Sequence, residues 1–162
     1  MSNIYKKVKF ATFLKENHSY LGISMDKVEI AQKLSEKGLR VTPQRIAVFR
    51  AIVQLNNHPT AENIIDYIKD HHPNISVGTV YKVLDSFVEN SLIKKVKTER
   101  GIMRYDPLPY NHHHLYCGAT DRIEDYEDEK LDALITDYFN KKGIKNFNIQ
   151  NIQLHITGKF KK

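Results

Sequence analysis

The chain has 162 residues, 27% charged and 41% hydrophobic, with a formal net charge of +6. That length suits one ordinary domain or two small ones, and the balance excludes a disordered chain. No apolar run approaches the ~20 residues of a bilayer helix, so no membrane partner is expected. The single cysteine, Cys117, excludes a disulfide framework and makes a reducing, cytoplasmic setting the expectation.

Charge is unevenly spread. Residues 1–105 hold 17 Lys/Arg against 10 Asp/Glu, whereas residues 106–162 hold 8 against 9. A basic first part beside a near-neutral second part points to an anionic partner, most commonly nucleic acid.

In chain order, residues 1–24 read as an N-terminal extension with Lys6, Lys7, Lys9 and Lys15 among aromatics, and with no apolar core of a secretory signal. From Asp26 a helix is predicted, with Val28, Ala31 and Leu34 on its apolar face and Gly38 as its stop. Thr42-Pro43-Gln44-Arg45 reads as a second helix start: a hydroxyl to cap an orphan N–H, then a proline where no N–H is needed. Ile46, Phe49, Ala51, Ile52 and Val53 form its core-facing set. After His58-Pro59, Thr60 caps a third helix, Ala61 to about Asp70. The turn His71-His72-Pro73-Asn74 precedes a fourth, capped by Ser76 and running to about Glu89.

The third and fourth helices form a helix-turn-helix pattern. Ser76, Thr79, Tyr81 and Lys82, near the start of the fourth helix, are the candidates for reaching bases or phosphates. A hairpin from Leu92 to Tyr105 then reads as a wing, with Lys94, Lys95 and Lys97 suited to phosphate contact.

Asp106-Pro107-Leu108-Pro109 is stiffened by its prolines and marks a boundary. The predicted division is an extension (1–24), a winged-helix DNA-binding domain (25–105), a hinge (106–111) and a small α/β domain (112–162). Within the last, two short strands flank Gly118, a helix runs from Lys130 to about Lys142, and a long strand spans Phe147 to Ile156 with Ile152, Leu154 and Ile156 alternating. Some 55 residues make a small independent core, so this domain is expected to bury its sheet against a second copy. The fold class is α+β.

Histidine clusters just after the boundary. His112 and His114 are two apart, so on an extended segment they share one side. Asp106 and Asp125 flank them in sequence, and His58 sits between two helices of the first domain. Imidazoles with carboxylates suit Fe(II), Mn(II) or Zn(II), and the carboxylates favour the first two.

The strings His58-Pro59-Thr60-Ala61-Glu62, Ser76 to Leu84, Arg104-Tyr105-Asp106 and His112 to Gly118, together with Thr42-Pro43-Gln44-Arg45, occur in that order. Together they resemble the ferric uptake regulator family of bacterial metal-dependent repressors, over about Ser35 to Gly158. The resemblance implies a winged helix that binds double-stranded DNA, a dimerising C-terminal domain, and a regulatory Fe(II) or Mn(II) between them. Carried over by position, its ligands are His58, Asp106, His112, His114 and Asp125. Aspartate at both carboxylate positions resembles the peroxide-sensing branch, in which oxidation of a histidine ligand releases the metal.

The resemblance also implies that Tyr81 and Lys82 read bases and that Arg40 enters an A·T-rich minor groove of a palindromic operator. The chain departs from the family at the structural zinc, usually built from two Cys-x-x-Cys pairs. Thr120 stands where the second cysteine would be, and one thiol makes no tetrathiolate, so no structural zinc is expected. Cys117 is expected to be a buried small side chain rather than a redox sensor. The alternatives are an iron or manganese homeostasis regulator without peroxide sensing, and a non-haem iron enzyme. Five protein ligands and a basic winged helix disfavour the enzyme.

Overall fold

The computed structural model describes residues 25–56, 58–98, 100–108 and 111–161, so the N-terminal extension lies outside the described residues. The chain divides into two compact units, one reaching Lys97 and resuming from Gly101, the other containing the residues from Asn111 onward together with Thr98 and Arg100.

Among the described residues, the first unit contains four helices: α1 (Lys27–Glu36), α2 (Pro43–Leu55), α3 (Ala61–His71) and α4 (Val77–Glu89). Each starts on a side chain that answers orphan N–H groups. The Asp26 carboxylate accepts from Val28 and Glu29 in a full capping box, the Thr42 and Ser76 hydroxyls accept from Arg45 and Thr79, and Thr60 forms a reciprocal box with Asn63. The caps fix each helix's phase, and the buried faces follow. On α1 that face is Ile30 and Leu34, while Val28 is 73% exposed. Of the expected face Val28, Ala31 and Leu34, Leu34 is buried and Val28 is not. Val28 sits in the first turn, where its N–H serves the cap, and the i, i+4 pair Ile30/Leu34 covers the core.

Helix α2 buries six residues, Ile46 to Phe49, Ala51 and Ile52, and so is apolar on most of its surface. Ile64, Ile65 and Ile68 of α3 and Val80, Val83, Leu84 and Phe87 of α4 complete a single core, in which Phe49 and Phe87 meet edge to face at 5.9 Å. Strands β1 (Lys94–Lys97) and β2 (Met103–Asp106) form the antiparallel wing, with Lys94 opposite Asp106 and Lys97 opposite Met103. Asp106, read from sequence as the first residue of the linker, is thus the last residue of β2.

The second unit holds a three-stranded sheet in the order β4-β3-β5, with β3 (His113–Cys117) central. Strand β4 (Arg122–Tyr126) pairs antiparallel to it and β5 (His155–Thr157) parallel to it. Helix α5 (Glu129–Lys142) starts on the Asp128 carboxylate and ends at Gly143, whose φ of +62° a side chain would resist. None of its residues is fully buried, and Leu134, Tyr138, Phe147 and Ile156 are exposed apolar groups of this unit.

The long strand expected over 147–156 is not formed: only His155–Thr157 joins the sheet. The stretch before it is held by side-chain bonds instead, Asn111 Nδ2 donating to the Ile152 carbonyl and Gln153 Nε2 to the His112 carbonyl.

Candidate metal centre

Strand β3 sorts its histidines by the two-residue period of extended chain. His112, just before the strand, and His114 face each other, their Nε2 atoms 3.0 Å apart and their rings nearly perpendicular. Asp125, paired with His114 across the β3–β4 ladder, brings Oδ1 to 3.2 Å from His112 Nε2 and 3.8 Å from His114 Nε2. Both rings are buried, at 2% and 3% exposure, while Asp125 keeps contact with solvent.

Two nitrogens each ~2.1 Å from one ion and at right angles to it stand about 3.0 Å apart. The observed separation fits such a pair of neighbouring ligands, with the Asp125 oxygen beside both. The donor set therefore fits a divalent cation.

His113 points the other way. Its Nδ1 accepts from the Leu154 N–H at 3.2 Å, and its Nε2 lies 3.2 Å from Asp132 Oδ1 of α5. It ties the ligand strand to the helix and to the segment before β5. Sequence reasoning missed His113, Asp132 and Gln153. The unbroken His112-His113-His114 run is the only signal, since alternation sends its middle member to the opposite face.

The first unit places His58 and Asp106 together, their candidate ligand atoms within 4.8 Å, and both are buried. The cause is local. Arg104 Nη1 donates to the His58 carbonyl at 3.0 Å, and the Tyr105 N–H donates to the Pro59 carbonyl. The loop before α3 is thereby pinned along β2, one residue short of Asp106. His58 itself has φ of +55°, in the left-handed region that residues with a Cβ rarely adopt. Such strain costs about 1 kcal/mol or more and concentrates at ligand clamps. The Asp106 Oδ1 accepts from the Leu108 N–H at 2.7 Å, which orients the carboxylate.

The candidate nucleic-acid residues fall on three surfaces of the first unit. On α4, Val80, Val83 and Leu84 face inward, leaving Tyr81 (42% exposed) and Lys82 on the solvent side. Ser76 and Thr79 spend their hydroxyls locally, bonded to each other at 2.9 Å in the cap. Arg40 is exposed before α2 and its carbonyl accepts from Arg45. On the wing, Lys95 and Lys97 share the exposed face of β1, Lys94 is half-buried on the other, and Lys95 pairs with Asp85 at 3.1 Å.

Cys117 is buried, but it is more than a filler. Hydrogen bonds from the Thr120 side chain and N–H, and from the Ala119 and Phe160 N–H groups, stabilise its thiolate and bring the thiol down to about 7. Arg122 stacks over the Phe160 ring at 4.4 Å, fastening the same tail to β4. Among the described residues, no helix is long and apolar enough to cross a membrane.

Comparison with known proteins agrees with this architecture. The ferric uptake regulator family model matches residues 36–157. A peroxide-responsive repressor, PerR, of Staphylococcus epidermidis is 34% identical over 106 residues, covering 65% of this chain and 71% of its own. The ferric uptake regulator of Vibrio cholerae superposes with a TM-score of 0.66 at 24% identity, over 80% of this chain and 98% of that one. The peroxide stress regulator of Campylobacter jejuni does so with a TM-score of 0.62 at 24% identity, over 85% and 98%. The chain belongs to the ferric uptake regulator family, and is a metal-dependent DNA-binding regulator of transcription rather than an enzyme.

Proposed function

We propose that this chain is a peroxide-responsive repressor, acting as a cytoplasmic homodimer on an A·T-rich palindromic operator. Its regulatory Fe(II) or Mn(II) is held by His58, Asp106, His112, His114 and Asp125. The observation that carries this reading is the facing Nε2 pair of His112 and His114 with the Asp125 carboxylate beside it. The buried His58 and Asp106 are two further donors of the kinds such ions take. A single thiol leaves no tetrathiolate, so no structural zinc belongs to the proposal. The exposed apolar groups of the second unit supply the pairing surface.

Filling the site is proposed to favour the form of the dimer that presents two recognition helices to one duplex. A hundredfold preference of the ion for that arrangement is worth about 2.7 kcal/mol of DNA affinity. One hydrogen peroxide can give one oxygen atom to a ring and leave as water; bound ferrous iron would activate the peroxide for this without net oxidation of the ion, whereas manganous ion would react poorly. His58 and His112 are the targets, and each ring that gains an oxygen atom loses ligand strength and ends repression.

The test uses genomic fragments selected with Mn(II)-loaded protein. The Fe(II)-loaded protein is expected to release them after stoichiometric peroxide, with +16 Da on peptides containing His58 or His112. Unmodified histidines with DNA still bound would favour iron or manganese homeostasis. Equal binding with and without chelator would remove the metal from the account.

DNA contact itself makes a separate prediction. Replacing Lys94, Lys95 and Lys97 together by alanine is expected to flatten the slope of log affinity against log salt by about 2 to 3. Tyr81→Ala is expected to leave that slope unchanged and cost about 1–3 kcal/mol on the selected sequence only. Fluorescence anisotropy across a salt series reads both.

A further inference from the structure

The Gln153 side chain meets the ligand pair from outside. Its Nε2 donates to the His112 carbonyl at 2.8 Å and lies 3.4 Å from His114 Nδ1. A carbonyl oxygen only accepts, so the amide atom facing it must be the nitrogen; the usual ambiguity between amide N and O does not arise here. That nitrogen has a second N–H, which serves His114 Nδ1. A ring nitrogen that accepts carries a lone pair, so a neutral His114 keeps its proton on Nε2. From there it can donate to His112 Nε2, 3.0 Å away.

A metal held through Nε2 needs the opposite tautomer, with the proton on Nδ1. Gln153 opposes it there with a donor. We propose that Gln153 is a positioning residue that holds His114 in its Nε2–H form and thereby sets the metal affinity of the centre below what its ligands alone would give. The affinity half of this inference rests on the metal reading above; the tautomer half does not. Gln153 is exposed and outside the core, so its replacement opens no cavity, and the bond to the His112 carbonyl is lost equally in both variants below.

Two variants separate the possibilities. Gln153→Glu has no donor for the His112 carbonyl and, turned from it, presents an acceptor to Nδ1–H, making the carboxylate–histidine arrangement that raises ligand strength. Gln153→Leu removes the donor and offers no oxygen to the ion. In metal-free protein labelled with 15N-histidine, above the range where imidazole is protonated, long-range 1H–15N spectra report each tautomer, and His114→Gln identifies the His114 signals.

Wild type is expected to show His114 as Nε2–H, Gln153→Glu to convert it to Nδ1–H, and Gln153→Leu to give a mixture. Mn(II) titration followed by electron paramagnetic resonance is expected to show about tenfold tighter binding for Gln153→Glu, with a smaller gain in the same direction for Gln153→Leu. An Nδ1–H signal in wild type, or Mn(II) affinity unchanged or weakened in both variants, would overturn the inference. Failure of wild type to bind Mn(II) would overturn the metal reading and the affinity half with it, while the spectra of the metal-free protein still decide the tautomer half.

Discussion

His112→Ala is expected to abolish metal-dependent DNA binding, lowering Mn(II) affinity by at least about a hundredfold, some 2.7 kcal/mol. The ring is buried, and its Nε2 is the atom nearest to both other donors of the second unit, at 3.0 Å from His114 Nε2 and 3.2 Å from Asp125 Oδ1. Without it, His114 and Asp125 are left 3.8 Å apart as the remaining donors of that unit. Removing a buried ring also opens a cavity, so the variant must be shown to keep its fold by circular dichroism. Sedimentation then compares its oligomeric state with that of wild type. Retained fold with lost Mn(II) resonance and lost metal-dependent anisotropy is the predicted result. Wild-type affinity would show that the Nε2 pair is an ordinary buried contact.

Phe87→Ala is expected to destabilise the first unit by about 3–5 kcal/mol. The ring is fully buried in the last turn of α4, edge to face with Phe49 of α2, and so joins the candidate recognition helix to the most buried helix of that unit. The residue's carbonyl also accepts from Leu92 and Ile93, where the chain leaves α4 for the wing. Against the roughly 5–15 kcal/mol that holds a domain together, this loss is a large fraction. Urea unfolding should show a midpoint shift at constant slope, and DNA affinity should fall with it. A loss under about 1 kcal/mol would mean that α4 is not anchored through this ring.

The helical unit was legible because its signals are local. Thr42-Pro43, Thr60 and Ser76 announce three helix starts, and the caps form where the sequence places them. The face of α1 was misread because Val28 and Leu34 satisfy a helical spacing as well as Ile30 and Leu34 do. Only the phase set by the Asp26 cap separates the two. The strand expected over 147–156 failed for a different reason. Alternating Ile152, Leu154 and Ile156 record that one side is apolar, but strand pairing needs a partner backbone, and β3 supplies one only for His155–Thr157. Before that point, the pleat is replaced by bonds from Asn111 and Gln153.

The candidate ligands were readable from residue type, with their numbering carried by the family resemblance. Their surroundings were not. Nothing near position 153 signals a contact with His112 and His114, which lie 41 and 39 residues away. The environment of Cys117 is set first by Thr120, three residues on, and only then by the distant Phe160. Donors from Thr120 and Phe160, which no periodicity reveals, turn an expected apolar filler into a thiol near neutrality. Asp106 was expected in the linker because Pro107 follows it, yet the wing ladder runs one residue further and takes it as the partner of Lys94.

His58, His112 and His114 are the proposed imidazole ligands of one cation. Electron spin-echo envelope modulation of the Mn(II)-loaded protein, with 14N- and 15N-histidine, counts the imidazole nitrogens on the ion. Three coupled nitrogens in wild type and two in His58→Ala are predicted. Two in both proteins, with Mn(II) affinity unaltered by the substitution, would show that His58 is not a ligand.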